Sequence, residues 1–435
     1  MNAMLYERLQ ARERAGCPIR IGCHGAGWMG SGFVAATERI PGLAITVLAA
    51  ADVAAAQAAL VAAGVPAAQI RITNDPGQAM DAIRQGYRVV SEDMTLPAQV
   101  EAVDVVTDVT ASPAAGADVA YAAIRHGKDV VLVNIEADVT VGHVLKKLAD
   151  EAGVLYSVSS GDEPGCLMEL WDYVRVLGFE PIVIGKGKNN PLDPTANPTT
   201  VAAVAAAVNK DPYQTASYVD GTKTMFEMAC AANATGCVPL RRGMTGPQAD
   251  LETITALFRL QEDGGTIPFP GVVEFVQGPA MAGGVFMTCR MPDARLAADL
   301  KYLKVGDGRY STFFRPYHLW FIEAPLSLAA AHLFRTVTLA PLPRPVAEVM
   351  TIAKRDLQPG EYLDGFGGYT FYGLIDRAEA AWAEQALPAG LAPGAQVIRP
   401  VAAGQIVTWA DVRLDETSTV VRLRRMLRAD GVHPA

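Results

Sequence analysis

The hexapeptide G-A-G-W-M-G at 25–30 constrains this chain more than any other feature, because it directly follows an apolar run, Pro18 to Cys23, and opens a helical pattern. Three glycines at this spacing meet three mechanical needs. Gly25 permits a tight turn, Gly27 lets backbone approach a pyrophosphate, and Gly30 lets the helix pack close to the strand. The helix start offers N–H groups and a partial positive charge to phosphates. Trp28 and Met29 lie inside the motif and join the cofactor-site candidates. A second apolar run, Leu43 to Leu48, leads to Ala51-Asp52, the spacing at which an acid meets an adenine ribose.

Asp52 discriminates between dinucleotides. Two unit charges about 4 Å apart interact by roughly 4 kcal/mol at an effective dielectric of about 20. A 2′-phosphate beside this carboxylate is repelled, whereas a ribose diol can be hydrogen-bonded. The expectation is NAD(H) in preference to NADP(H). The competing role for Asp52 is to cap the next helix.

Further apolar runs follow at Val103 to Val109, Asp129 to Val133 and Val154 to Val158, separated by alanine-rich helical segments. Continuous apolar strands alternating with helices indicate a parallel sheet covered on both faces. Residues 1–164 are therefore expected to form a Rossmann domain, a doubly wound α/β sheet. Over 165–345 the pattern changes to longer amphipathic helices and mixed strands, which predicts an α+β substrate domain. Over 346–435 short strands alternate with Pro-Gly and Ala-Gly turns. Two stretches there resemble each other, D-L-Q-P-G-E-Y-L-D (356–364) and V-A-A-G-Q-I-V-T-W-A-D-V (401–412).

A length of 435 residues suits two or three domains, and 50% apolar with 19% charged residues is a packed globular composition. A net charge of -9 repels phosphate backbones, so nucleic acid is not an expected partner. The tail carries Arg422, Arg424, Arg425 and Arg428 behind Asp415 and Glu416. Val420, Leu423 and Leu427 give that tail a helical stripe, so it reads as a capped surface helix. The six cysteines form no C-x-x-C pair, and Glu7, Arg8, Arg12, Glu13 and Arg14 replace the apolar core of a signal peptide. A cytoplasmic location is expected. Gly42 to Ala68, interrupted by Asp52, Gln57 and Gly64, reads as a buried strand and helix, not a membrane span.

Polar residues at strand ends supply the candidate chemistry. In D-V-T-A-S-P (108–113) and V-N-I-E-A-D (133–138), Thr110, Ser112, Asn134 and Glu136 are placed to line a nicotinamide site. Capping is the alternative for Ser112 and Asp138. Asp162 and Glu163, in S-S-G-D-E-P-G (159–165), can serve as acid and base, hold a divalent metal, or cap a helix. Lys186 and Lys188, in I-G-K-G-K-N-N-P (184–191), share a strand face that the flanking glycines are expected to open to a ligand. Asn189, Asn190 and Pro191 then turn the chain. Two ammonium groups and an amide suit an anionic or polyhydroxylated substrate. Lys223 precedes Glu227 by four residues on a helix closing at Gly236, an order that opposes the helix dipole. That makes Lys223, Glu227 and Asn233 site candidates. In F-F-R-P-Y-H-L (313–319), Arg315 is a candidate anion clamp and His318 a candidate general acid. His24 reads as structural, and nothing marks Cys166 as a nucleophile.

At G-A-G-W-M-G, V-N-I-E-A-D-V-T-V-G, S-G-D-E-P-G-C-L-M-E-L, G-K-G-K-N-N-P-L, E-M-A-C-A-A-N-A-T-G and R-P-Y-H-L the chain resembles 1-deoxy-D-xylulose 5-phosphate reductoisomerase-like enzymes. These are homoserine-dehydrogenase-related proteins with a C-terminal SAF domain. The resemblance implies a homodimer whose middle domain also dimerises, and an active site between the first two domains. It further implies that Lys186, Lys188, Asn190 and Arg315 surround the substrate, and that the 346–435 module is a β-clip. The isoprenoid enzymes of the group use NADPH with an Arg-Arg pair where this chain has Ala51-Asp52.

The expected activity is hydride transfer between NAD(H) and a small polyhydroxylated substrate, phosphorylated or branched in some versions. Lys188 or Lys186 would polarise the oxygen and Glu136 or Asp162 would manage protons. A reductoisomerase would add a carbon shift assisted by a divalent metal at Asp162 and Glu163. Homoserine-dehydrogenase-like alcohol oxidation and a non-catalytic, NAD-gated sugar-acid binding protein are the alternatives.

Overall fold

Seven short strands of the computed structural model, which describes residues 4–429, build the predicted parallel sheet. They are β1 (Ile19–His24), β2 (Leu43–Ala49), β3 (Ile70–Ile72), β4 (Arg88–Ser91), β5 (Val105–Asp108), β6 (Asp129–Leu132) and β7 (Tyr156–Val158). Their order is β3-β4-β2-β1-β5-β6-β7, every pairing parallel. All seven residues of β2 are buried, as a strand covered on both faces requires. The chain reverses direction across the sheet at β1, between β2 and β5. In open α/β sheets ligands gather beyond the carboxyl ends of the strands at such a point.

The helices along this segment are α1 (Leu5–Arg14), α2 (Trp28–Thr37), α3 (Val53–Ala62), α4 (Pro76–Arg84), α5 (Leu96–Gln99), α6 (Pro113–Arg125) and α7 (Ile135–Ala152). Local chemistry sets their starts. Asp52, Asp75, Ser112 and Asn134 each accept a backbone N–H two or three residues into α3, α4, α6 and α7. Gly153, at φ +71°, closes α7 in the left-handed conformation. Gly42 to Ala68 contains the expected buried strand, β2, followed by the helix α3. No helix among the described residues is long and apolar enough to cross a membrane.

The next helix, α8 (Glu163–Val176), begins a second unit. Its five-stranded sheet has the order β12-β11-β8-β10-β9, from β8 (Glu180–Lys188), β9 (Val238–Pro239), β10 (Val272–Gln277), β11 (Val285–Arg290) and β12 (Tyr310–Arg315). β8, β10 and β9 run parallel, while β11 is antiparallel to β8 and β12. Ile182, Val183, Phe258, Phe286 and Tyr310 are among its core residues. Helices α9 (Ala202–Ala207), α10 (Pro212–Val219) and α11 (Thr222–Thr235) lie between β8 and β9 in the chain.

The chain divides into two units rather than three. Among the described residues, 4–162, 319–343 and 417–429 form the first, and 163–318 and 344–416 form the second. The third domain expected over 346–435 is not separate, and its residues 430–435 lie outside the described residues. Its strand pairs, β13 (Ala347–Ala353) with β14 (Phe371–Arg377) and β15 (Gln396–Val397) with β16 (Val412–Arg413), are antiparallel. β13 and β14 pack on α11. Thr222 accepts from the Gly373 N–H, and Asn233 accepts from Val346 and Ala347. Asn233, a site candidate from the sequence, thus anchors the start of β13 to α11.

The segment 319–343 returns to the first unit, where the helix Ala324–Phe334 packs on β6 and α2. The helix Thr419–Ala429 covers α6 and α7 with Val420, Leu423 and Leu427 buried, as its stripe predicts. Arg424 departs from the surface-helix expectation: it is buried and donates to the Thr140 carbonyl.

Candidate functional site

The first unit carries the predicted turn between β1 and α2. Gly25 has φ +112°, and a Cβ there would lie 3.0 Å from Thr110. A Cβ at Gly30 would lie 2.1 Å from the Gly25 carbonyl oxygen, so the helix can approach the turn only with glycine in its first coil. Gly27 differs from both. It stands at the N-cap of α2, and nothing lies within 4 Å of where its Cβ would be. No side chain caps α2, unlike α3, α4, α6 and α7. An uncapped helix start facing open space fits a pyrophosphate.

Asp52 caps α3 through one carboxylate oxygen, 2.9 Å from the Ala55 N–H, and remains exposed. Capping is thus observed, and the exposed carboxylate is still accessible to a ribose.

Asp108 organises the carboxyl ends of β1 and β5. It is fully buried and meets His24 Nδ1 at 2.6 Å, the Thr110 hydroxyl at 2.9 Å and the Asn134 amide at 2.7 Å. Asn134 also donates to the Ser112 carbonyl and accepts from the Ala137 N–H. The hydrogen-bonding groups of Thr110 and Asn134 therefore hold a buried carboxylate and a helix start, and Ser112 is a cap. His24 is buried against Asp108. Asp138 accepts from the Tyr156 hydroxyl, and Glu136 is buried in the first turn of α7. The importance of Asp108 was visible only as an acid closing an apolar strand.

The second unit holds a cluster of buried charges. Alternation along β8 puts Lys186 and Lys188 on one face, as expected, but Gly185 and Gly187 do not open that face. A Cβ at Gly185 would lie 1.9 Å from the Glu274 carbonyl oxygen, and one at Gly187 would lie 1.7 Å from that of Met281. The glycines serve close packing on the other side of the strand.

Lys186 donates to both Glu163 and Glu227. Burial alone lowers the affinity of its ammonium for the proton. The two carboxylates outweigh burial and hold its pKa above the ordinary lysine value. Lys186 is a fixed cation. Among the described residues Lys188 pairs with no carboxylate, and it donates to the Tyr218 carbonyl. Burial pulls its pKa down from 10.5 to about 8, and the neighbouring Lys186 charge adds to this; Glu227 and Asp220 oppose it. A lysine at about 8 exchanges a proton near neutral pH.

Lys223 lies 4.0 Å from the second oxygen of Glu227. His318 meets the Gly283 carbonyl through Nδ1 at 2.8 Å, which leaves Nε2 3.8 Å from Glu163. Arg315 pairs with Glu169 at 3.1 Å and lies over the Tyr317 ring. Asn190 is half-buried just beyond β8, and Cys166 is buried in α8. Asp220 and Lys354, which sequence reasoning missed, form a second buried pair at 2.7 Å. Lys354 also donates to the Ala196 and Gly368 carbonyls, so its three protons are all used in anchoring the loops.

Asp162 closes the first unit and Glu163 opens the second. The Lys186 ammonium is shared between Glu163 and Glu227 and engages one oxygen of Glu163, while the other oxygen lies 3.8 Å from His318 Nε2, a carboxylate and an imidazole of the kind that ligate divalent metals.

No curated protein sequence matches this chain. Among solved structures, it is similar to a myo-inositol dehydrogenase from Corynebacterium glutamicum, with 12% identity and a TM-score of 0.40 over 72% of this chain and 87% of the other. An NAD binding oxidoreductase from Klebsiella pneumoniae shows 15% identity and a TM-score of 0.33 over 71% and 67%. GenD2 from gentamicin A biosynthesis, solved in complex with NAD, shows 14% identity and a TM-score of 0.36 over 74% and 89%. A family profile described as oxidoreductase DRL, catalytic domain, matches residues 161–324.

Proposed function

We propose that this chain is an NAD(H)-dependent oxidoreductase acting on a small polyhydroxylated alcohol or carbonyl compound. The observation that carries this reading is the open, uncapped glycine turn at 25–30, set at the reversal point of a parallel sheet. The match of residues 161–324 to an oxidoreductase catalytic domain supports it. When bound, the dinucleotide supplies the hydride acceptor or donor. Gly27 leaves room for its phosphates, and the exposed Asp52 carboxylate favours a diol over a phosphoester.

Lys188 Nζ gives or takes the proton at the substrate oxygen, since its pKa of about 8 leaves both forms populated near neutrality. Lys186 remains charged and holds electronegative oxygens nearby. Asn190, Arg315 and His318 complete the substrate surroundings. Simple oxidation or reduction needs only these groups and the dinucleotide, whereas a reductoisomerase would add a divalent metal at Asp162 and Glu163. The proposal extends to a homodimer and to a β-clip role for 346–416.

The test is Lys188→Ala, assayed on a panel of polyols, hydroxy acids and sugar phosphates. Turnover should vanish while NADH binding, read by fluorescence titration, survives. Full activity in that variant removes Lys188 from the proposal. NADH binding by the unmodified chain without turnover on any panel member favours a binding protein instead.

A further inference from the structure

Trp28, a cofactor-site candidate by its place in the glycine motif, and Trp320 stand beside the glycine turn with no contact to the cofactor yet specified. Trp28 is the first helical residue of α2 and is 43% exposed. Trp320, 39% exposed, meets it edge to face with ring centroids 5.4 Å apart. Large aromatic surface held half open beside an uncapped helix start is unusual in a packed domain, and it is the surface type on which a planar ring binds.

The segment bearing Trp320 is built into place. Phe321 packs edge to face on Trp28 at 5.5 Å, over Gly32, where a Cβ would lie 2.6 Å from the Phe321 ring. On its other side, the Trp320 N–H donates to the Gly161 carbonyl at 2.6 Å. A Cβ at Gly161 would lie 2.0 Å from the Trp320 carbonyl oxygen. Trp320 itself has φ +45°, a costly conformation for so bulky a residue and one that concentrates at ligand sites. Two close glycine contacts thus fix a strained tryptophan.

Position identifies the ring that would bind there. Gly161 follows the end of β7, so the segment runs from α2 towards the β5-β6-β7 half of the sheet. The adenine ribose belongs to the other half, where Asp52 follows β2. We infer that Trp28 and Trp320 form an aromatic wall against which the nicotinamide end of the bound dinucleotide packs. This rests on the dinucleotide reading above.

The test compares NADH with ADP-ribose, which lacks the nicotinamide, by calorimetric titration of the full chain and of Trp28→Ala, Trp320→Ala and Trp28→Phe. NADH should weaken by roughly 3- to 10-fold in each alanine variant, the size of an aromatic contact. ADP-ribose should stay within about twofold, and Trp28→Phe should recover most of the loss. Equal weakening of both ligands, or of neither, overturns the inference. Trp28→Ala decides the matter alone if Trp320→Ala does not fold, because Trp28 is an exposed helix-start residue. If the unmodified chain binds neither ligand, the dinucleotide reading itself has failed, a result distinguishable from loss of the wall alone.

Discussion

Lys188 offers the most quantitative check on the chemistry. Its pKa falls from 10.5 to about 8 because burial disfavours the ammonium and Lys186 repels it. The difference corresponds to about 3 kcal/mol. At pH 7.5 about a quarter of Lys188 would be neutral, against about one part in a thousand for an ordinary lysine, so the free base is enriched roughly 200-fold. Carbon-13 NMR of protein labelled at lysine Cε reads this without any substrate, with Lys188→Arg assigning the signal. The Lys188 resonance should titrate near pH 8. The folded pKa lies below the unfolded one, so the unfolded chain binds more protons between pH 8 and 10.5. Stability contributed by this group is therefore present above pH 10.5 and lost as pH falls towards 8. Lys188→Met should raise the urea midpoint at pH 7. A Lys188 titration at or above 10 would refute the reasoning and remove the group as a proton carrier.

The other predictions concern folding and the cofactor turn. Lys186→Met strands Glu163 and Glu227 without their cation and should cost about 3–5 kcal/mol in urea unfolding, partly recovered by adding Glu227→Gln. His143 is buried in α7 with Nδ1 2.6 Å from the Leu342 carbonyl, and burial lowers its pKa to about 4. The unfolded histidine takes its proton near 6.5, so stability present above that pH is lost as pH falls towards 4. Between pH 7 and 5 the loss should be about 2 kcal/mol and should be absent in His143→Gln. Gly27→Ala should keep stability within about 0.5 kcal/mol yet weaken NADH binding, because no other described residue comes within 4 Å of its Cβ apart from its chain neighbours. Gly30→Ala, facing a carbonyl at 2.1 Å, should lower the melting temperature as well.

The parallel sheet, the glycine turn and the paired lysines were legible because each is a local pattern. β3 and β4 were not foreseen, since Ile70–Ile72 and Arg88–Ser91 are short and carry Arg71 and Arg88 where an apolar run would be sought. The return of 319–343 and 417–429 to the first unit depends on tertiary packing that no local period encodes. Gly185 and Gly187 were misread because a glycine beside a charged residue suggests an open ligand face, whereas close backbone contacts explain both. The pairing of Lys186 with carboxylates from α8 and α11 joins residues far apart in the chain, so only the fold reveals which lysine is fixed and which titrates.

Titration of the full chain with NADH and NADPH, followed by nicotinamide fluorescence, tests the central claim most directly. NADH should bind at least about tenfold more tightly, given the Asp52 carboxylate beside the expected ribose position. Equal or tighter binding of NADPH would contradict the role of Asp52, and binding of neither would contradict the oxidoreductase account as a whole.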